Sequence, residues 1–350
     1  GLPIADLKIP SWKGPGVGLS GSERRAKAIK GNYSVTLFKT PCNSVVKKNL
    51  SLFAETKLTK MKYLSFILGL LITLNLSAQK DKPAYKVFTG EGKKADYGDV
   101  LKEALKADVV FFGELHDNPI AHWLELELTI DLYKEKGKDL VLAAEMFETD
   151  NQLLIDEYFS GIIRESSFES EARLWNNYKT DYKPLLVFAR DSGLKFVASN
   201  IPRRYASVVN SGGFEALEKV SEEGKKFIAP LPVEYDTEIA CYKDMLSMGG
   251  GAMGHATANL PKAQAIKDAT MAYSIAKYYQ DGETVIHYNG SYHSDRYMGI
   301  IWYLNKYSPG LKIATITTVL QDDPGSMEEQ YLNYADFVIV IPSSMTRTYY

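Results

Sequence analysis

The chain has 350 residues, a formal net charge of −2, 45% hydrophobic and 24% charged residues, and two cysteines. The charge is divided: residues 1–78 carry 12 Lys/Arg against 3 Asp/Glu, which leaves 29 against 40, a net −11, for residues 79–350. That acidic body argues against a nucleic-acid partner, which needs a basic face, and with Cys42 in one part and Cys241 in the other the body has no internal disulfide.

Residues 1–60 hold Gly, Pro, Ser and Lys without a sustained period and read as a disordered or non-native extension. Residues 61–78 have the pattern of a signal peptide. Met61-Lys62 is a charged start, 63–76 a mostly apolar core, and Ser77-Ala78 a small-residue end. The core is shorter than the roughly 20 residues that span a bilayer. Cleavage near Ala78 would leave an exported chain, 79–350, of a length that suits a single α/β domain.

In that body, strands are expected at 84–89, 108–112, 139–147, 195–201, 283–288, 312–320 and 337–341. They alternate with helices at 97–106, 119–136, 150–159, 260–280 and 297–306, with further helical segments through 168–192. The recurrence predicts an α/β fold with a mainly parallel central sheet and helices on both faces. Thr149 and Gln152 read as a capping box, and 212–254, broken at Gly249-Gly250-Gly251, as a helical cap beside the crevice.

The chemistry concentrates at 108–122, DVVFFGELHDNPIAH, where an unbroken apolar strand runs into a polar turn and then a helix opened by Asn118-Pro119. Glu114, His116 and Asp117 lie within four residues, which is costly without a charged ligand or a metal. GSYH at 290–293 repeats the GELH of 113–116: in each, a glycine follows an apolar strand and a histidine follows three later. Loops beyond the carboxyl ends of parallel strands frame ligand crevices. Glu114, His116 and His293, with Glu145 or Asp268, would give the mixed nitrogen and oxygen set that suits zinc, manganese or iron. His287 is mid-strand and reads as a core histidine, His122 lies beside the apolar stripe of its helix, and His255 has no motif around it.

GELHDNPIAHW, AAEMFE, SNIPRR, QAIKDATMA and YNGSYH occur in an order that resembles the ChaN-like haem-binding proteins, the iron-regulated family related to the Tiki and erythromycin-esterase-like proteins. The resemblance spans 87–341 and implies an exported, periplasmic or outer-membrane-associated protein of iron uptake. Its implied partners are haem, a second copy in a dimer with stacked haems, and the outer-membrane haem-uptake machinery. The metal-holding role of the superfamily carries over onto Glu114, His116 and His293. Two departures stand out: Gln79 replaces the lipidated cysteine of lipoprotein members, and Ser291-Tyr292 places a phenol beside the last histidine. Tyrosinate is a type of haem-iron ligand, which makes Tyr292 a candidate. Two functions follow. In a haem carrier, Tyr292 or His293 ligates iron while Arg203 and Arg204 meet the propionates. In a metal-dependent hydrolase, Glu114, His116 and His293 hold a divalent ion, with Asp268 or Glu145 as general base.

Overall fold

The computed structural model describes residues 82–248 and 258–348. The 1–60 extension, the 61–78 segment, the 249–251 glycine run and His255 lie outside the described residues. Among the described residues eight strands form one sheet: β1 Lys86–Thr89, β2 Lys94–Ala95, β3 Val109–Glu114, β4 Leu140–Glu148, β5 Lys195–Asn200, β6 Thr284–Gly290, β7 Ile313–Gln321 and β8 Phe337–Pro342. Their order is β2-β1-β8-β7-β3-β6-β4-β5. β1 runs antiparallel to β2 and β8, and the other pairs are parallel. The expected mainly parallel α/β sheet is the observed one.

β3 lies between β6 and β7. From β3 the chain moves outward to β4 and β5; it returns at β6 and then passes over β3 to β7 and β8. That reversal leaves a crevice above the carboxyl ends of β3, β6 and β4.

Side-chain alternation sends each strand into two cores. Val110 and Phe112 enter the core built by α1 (Tyr97–Ala104), α2 (Pro119–Lys136), α3 (Gln152–Phe159), α4 (Glu165–Glu171) and α5 (Lys183–Asp191), with α6 (Arg203–Gly212) following β5. Val109 and Phe111 enter the opposite core, under α9 (Leu260–Tyr278) and α10 (Ile300–Tyr307). Full burial of each phenylalanine contributes about 1.5–3 kcal/mol. Ala265, Ala269 and Ala272 keep α9 close to the sheet.

β3 and β6 each run two residues beyond the expected end, because their pairing continues to Glu114 opposite Gly290. Glu114 is therefore a buried strand residue, held by the ladder. The capping box does not form. Gln152 instead accepts from Ala198 N at 2.8 Å and donates to Phe196 O at 2.9 Å. β5 is an edge strand, and the Gln152 amide satisfies its outer backbone groups. The expected cap contains a short 3-10 turn at Phe214–Lys219, then α7 (Glu222–Lys225) and α8 (Ala240–Met248), the last bringing Tyr242 onto Asp268.

Candidate functional site

Asn118 fixes the turn after β3: its Oδ1 accepts from Ile120 N at 3.0 Å and Ala121 N at 3.2 Å, with Pro119 in the first turn of α2. His122 then lies on the sheet-facing side of α2. Because Glu114 continues the Val110–Phe112 side of β3, it points toward α2 and not toward α9. Its Oε1 lies 2.6 Å from His116 Nδ1 and accepts from the Tyr182 hydroxyl at 2.8 Å. Its Oε2 lies 3.1 Å from His122 Nδ1, whose other carboxylate neighbour is Glu125 Oε2 at 3.2 Å. Burial opposes charge on Glu114, but the two histidines outweigh it and hold its carboxyl below the usual range.

Glu145 continues the Val141–Ala143 side of β4 and so points the other way, toward α9. Its Oε2 accepts from Gly290 N at 2.8 Å, and its Oε1 lies 3.3 Å from His293 Nε2. Asp268 of α9 completes this second cluster, with Oδ1 2.5 Å from His293 Nδ1 and Oδ2 accepting from the Tyr242 hydroxyl at 2.7 Å. Burial would lower the His293 pKa, but the charges of Glu145 and Asp268 overcome it and push it up to about 10. Both ring nitrogens of His293 are therefore engaged as N–H.

The two glycines of the repeated motif let the strand ends interlock. A Cβ at Gly290 would stand 2.7 Å from His116 Cε1 and 2.8 Å from its Nε2, and a Cβ at Gly113 would stand 2.9 Å from Ser291 Cα. His116 thus crosses over β6 toward the Glu145 cluster. Both clusters open on one cleft of about 450 Å³ whose lining includes His116, Glu145, Trp175, Arg203, Lys267 and His293. Its size is that of a small-molecule site. His116, with 38% of its side chain exposed, packs edge-to-face with Trp175 at 4.8 Å between ring centroids, and its Nε2 makes no hydrogen bond among the described residues. Lys267 and Arg203 likewise form no ion pair there.

The expected ligands do not gather at one point. Among the described residues the one set of three donor atoms within 4.8 Å of each other is that of Glu114, His122 and Glu125. Glu114 lies on one face of the sheet and Glu145, His293 and Asp268 on the other, with His116 reaching from the first toward the second. Tyr292 is placed elsewhere: its hydroxyl donates to Cys241 O and it does not line the cleft. Burial pushes its phenol above the ordinary value, which disfavours a tyrosinate. Arg203 faces the cleft, but Arg204 donates to Asp150 at 2.5 Å and stacks on Tyr205. His122, Glu125, Asp181 and Tyr182 are the participants sequence reasoning passed over; the available signal was an ionisable pair three residues apart on an apolar helix stripe.

His287 is a core histidine, 2.9 Å from Ser199 Oγ and 3.0 Å from Asn289 Oδ1. Burial pushes its pKa down to about 4, below its ordinary ~6.5. The stability it contributes is present above pH ~6.5 and is lost as pH falls through about 4, to a total of about 3 kcal/mol. Between pH 6.5 and 4 the urea midpoint of His287→Gln should therefore fall less than that of the wild type; parallel declines would contradict this assignment.

Comparison with solved structures places the fold beside ChaN of Campylobacter jejuni, described as showing cofacial haem binding. The identity is 18%, the TM-score 0.55, and the match covers 75% of this chain and 98% of that one. An erythromycin esterase mutant in its open conformation aligns at 10% identity over 74% of this chain and 83% of that one, with a TM-score of 0.40. The curated protein RETICULATA-RELATED 5, chloroplastic, of Arabidopsis thaliana is 25% identical over 195 residues, 52% of this chain. The match spans only 26% of that relative's length. The family described as haem-binding uptake, Tiki superfamily, ChaN matches residues 100–304, more than half of the chain, and this protein belongs to that family.

Proposed function

We propose that this protein binds haem in the cleft over β3, β4 and β6, with His116 Nε2 as the protein's ligand to iron. The observation that carries this reading is the Glu114–His116 pair. A histidine that ligates a metal through one nitrogen characteristically donates its other N–H to a carboxylate, which fixes the tautomer and raises the basicity of the ligating atom. Here Nδ1 lies 2.6 Å from the buried Glu114, while Nε2 makes no hydrogen bond among the described residues and the ring lines the cleft. Trp175 offers an aromatic wall, and Lys267 and Arg203 offer cations for the propionates. Bound haem would supply an iron centre whose electronics are set by an imidazole polarised through its carboxylate. His293 suits iron ligation less well, since both its nitrogens are held by carboxylates.

Iron uptake, export after cleavage near Ala78 and haem stacked between two copies of the chain belong to the same proposal. They are supported by the family and by the signal-like segment. Haemin titrated into the 79–350 chain should give a saturable Soret shift. Unsaturable binding equal to that of an unrelated acidic protein would overturn the reading.

A further inference from the structure

Beneath the cleft floor, His122 presents a problem of proton placement. Its Nε2 lies 3.1 Å from the backbone oxygen of His116 and 3.5 Å from Asp181 Oδ2. Both neighbours only accept hydrogen bonds, so Nε2 carries the hydrogen. Nδ1 then faces Glu125 Oε2 at 3.2 Å and Glu114 Oε2 at 3.1 Å. A bare nitrogen there would point its lone pair at two carboxylates, so Nδ1 holds either a proton or a metal ion.

The carboxylates make the same demand. Glu114 is 1% exposed and Glu125 0%, yet Glu114 Oε2 and Glu125 Oε1 have no hydrogen-bond partner among the described residues. Tyr182 and His116 hold Glu114 by its other oxygen, so its unpartnered Oε2 is aimed into the cluster. Buried polar atoms are seldom left without a partner, and one cation would supply both.

We propose that Glu114, His122 and Glu125 bind a divalent first-row transition-metal ion beneath the cleft, at a site separate from the haem-facing nitrogen of His116. One imidazole nitrogen with two carboxylate oxygens is a set that suits zinc, manganese or iron(II). The three donor atoms lie within 4.8 Å of one another. Two bonds of about 2.0–2.2 Å reach across nearly that span, so a small closing movement completes the site. The surroundings of a ligated histidine are in place, because His122 Nε2–H is anchored by the His116 carbonyl, itself held by Asn177 Nδ2 at 2.8 Å. The ion would take Glu114 by Oε2 and leave Oε1 to His116 and Tyr182, thereby setting the carboxylate that orients the cleft imidazole. The competing occupant is a proton: against the effect of burial, Glu114 and Glu125 push the His122 pKa up to about 11, and burial and the charge of Glu114 hold the Glu125 carboxyl well above its usual range.

The experiment uses the full chain with His116→Ala and His293→Ala, which silences the cleft. Stripped with EDTA, dialysed against Zn2+ or Mn2+ and analysed for metal by mass spectrometry, it should hold one equivalent of at least one of the two ions. Adding Glu125→Gln should lower retention at least ten-fold while leaving the far-UV circular dichroism unchanged. Should that variant not fold, Co2+ added to the parent chain gives a readout without it: visible d–d bands saturating at one equivalent support the site, and their absence overturns it. Failure of the parent to hold either ion, or a full equivalent retained with Glu125→Gln, would also overturn it and assign the cluster to a shared proton. Haemin binding by the chain with an intact His116 is a separate readout, so loss of this site and loss of the haem site are distinguishable.

Discussion

His116→Ala is expected to weaken haemin binding by about 100-fold or more while leaving the fold intact. The ring projects into the cleft, where its side chain is 38% exposed, so its removal opens no sealed cavity. Glu114→Gln leaves the ring in place but replaces a carboxylate acceptor by an amide. Loss of such a supporting partner typically costs 10–100-fold, so this variant should lie between His116→Ala and the wild type. Tyr292→Phe should bind haemin as the wild type does, since the hydroxyl is engaged with the Cys241 carbonyl and not with the cleft. Soret titrations of the three variants order them. Wild-type affinity in His116→Ala, or a loss confined to Tyr292→Phe, would move the ligand elsewhere.

Asp268→Ala should destabilise the protein by about 3–5 kcal/mol at neutral pH, the range for removing one partner of a buried ion pair. His293 is 8% exposed and charged between Glu145 and Asp268. Without Asp268 half of its compensation is gone, and the Tyr242 hydroxyl loses its acceptor. The pH dependence follows from linkage. The folded pKa of His293 is raised to about 10, so its contribution is fully present below pH ~6.5 and is lost as pH rises through about 10. The gap between wild type and Asp268→Ala should therefore narrow at alkaline pH. Urea unfolding of both proteins at pH 7 and above pH 10 measures it; a loss under about 1 kcal/mol at pH 7 would show that Asp268 does not hold His293.

The scaffold was largely legible. α2 runs Pro119–Lys136 as the sequence predicts, because Asn118-Pro119 opens it and Gly137, at φ 57°, closes it. The apolar runs before Gly113 and Gly290 announced two buried strands, and those strands are hydrogen-bonded neighbours. The division of the site into two clusters was hidden. It depends on side-chain parity, which sends Glu114 toward α2 and Glu145 toward α9, and parity can be assigned only when the strand ends are known to within one residue. His122 and Glu125 were masked by the stripe of their own helix: a buried ionisable pair follows the same period as the leucines around it. Asp181 and Tyr182 come from a π-helical turn at Tyr178–Tyr182, a segment whose sequence spacing gives no sign that it closes over β3. The Gly-x-x-His repeat was visible as a pattern, but its reason is steric, since each glycine leaves room for the other strand's segment.

Diffraction from crystals of the haemin-loaded protein, recorded on both sides of the iron absorption edge, would locate the iron and its ligand. An anomalous iron peak is expected in the cleft bonded to His116 Nε2, with Nδ1 still on Glu114 and the propionates at Lys267 and Arg203. Iron bonded to another side chain, with His116 Nε2 left facing solvent, would contradict it.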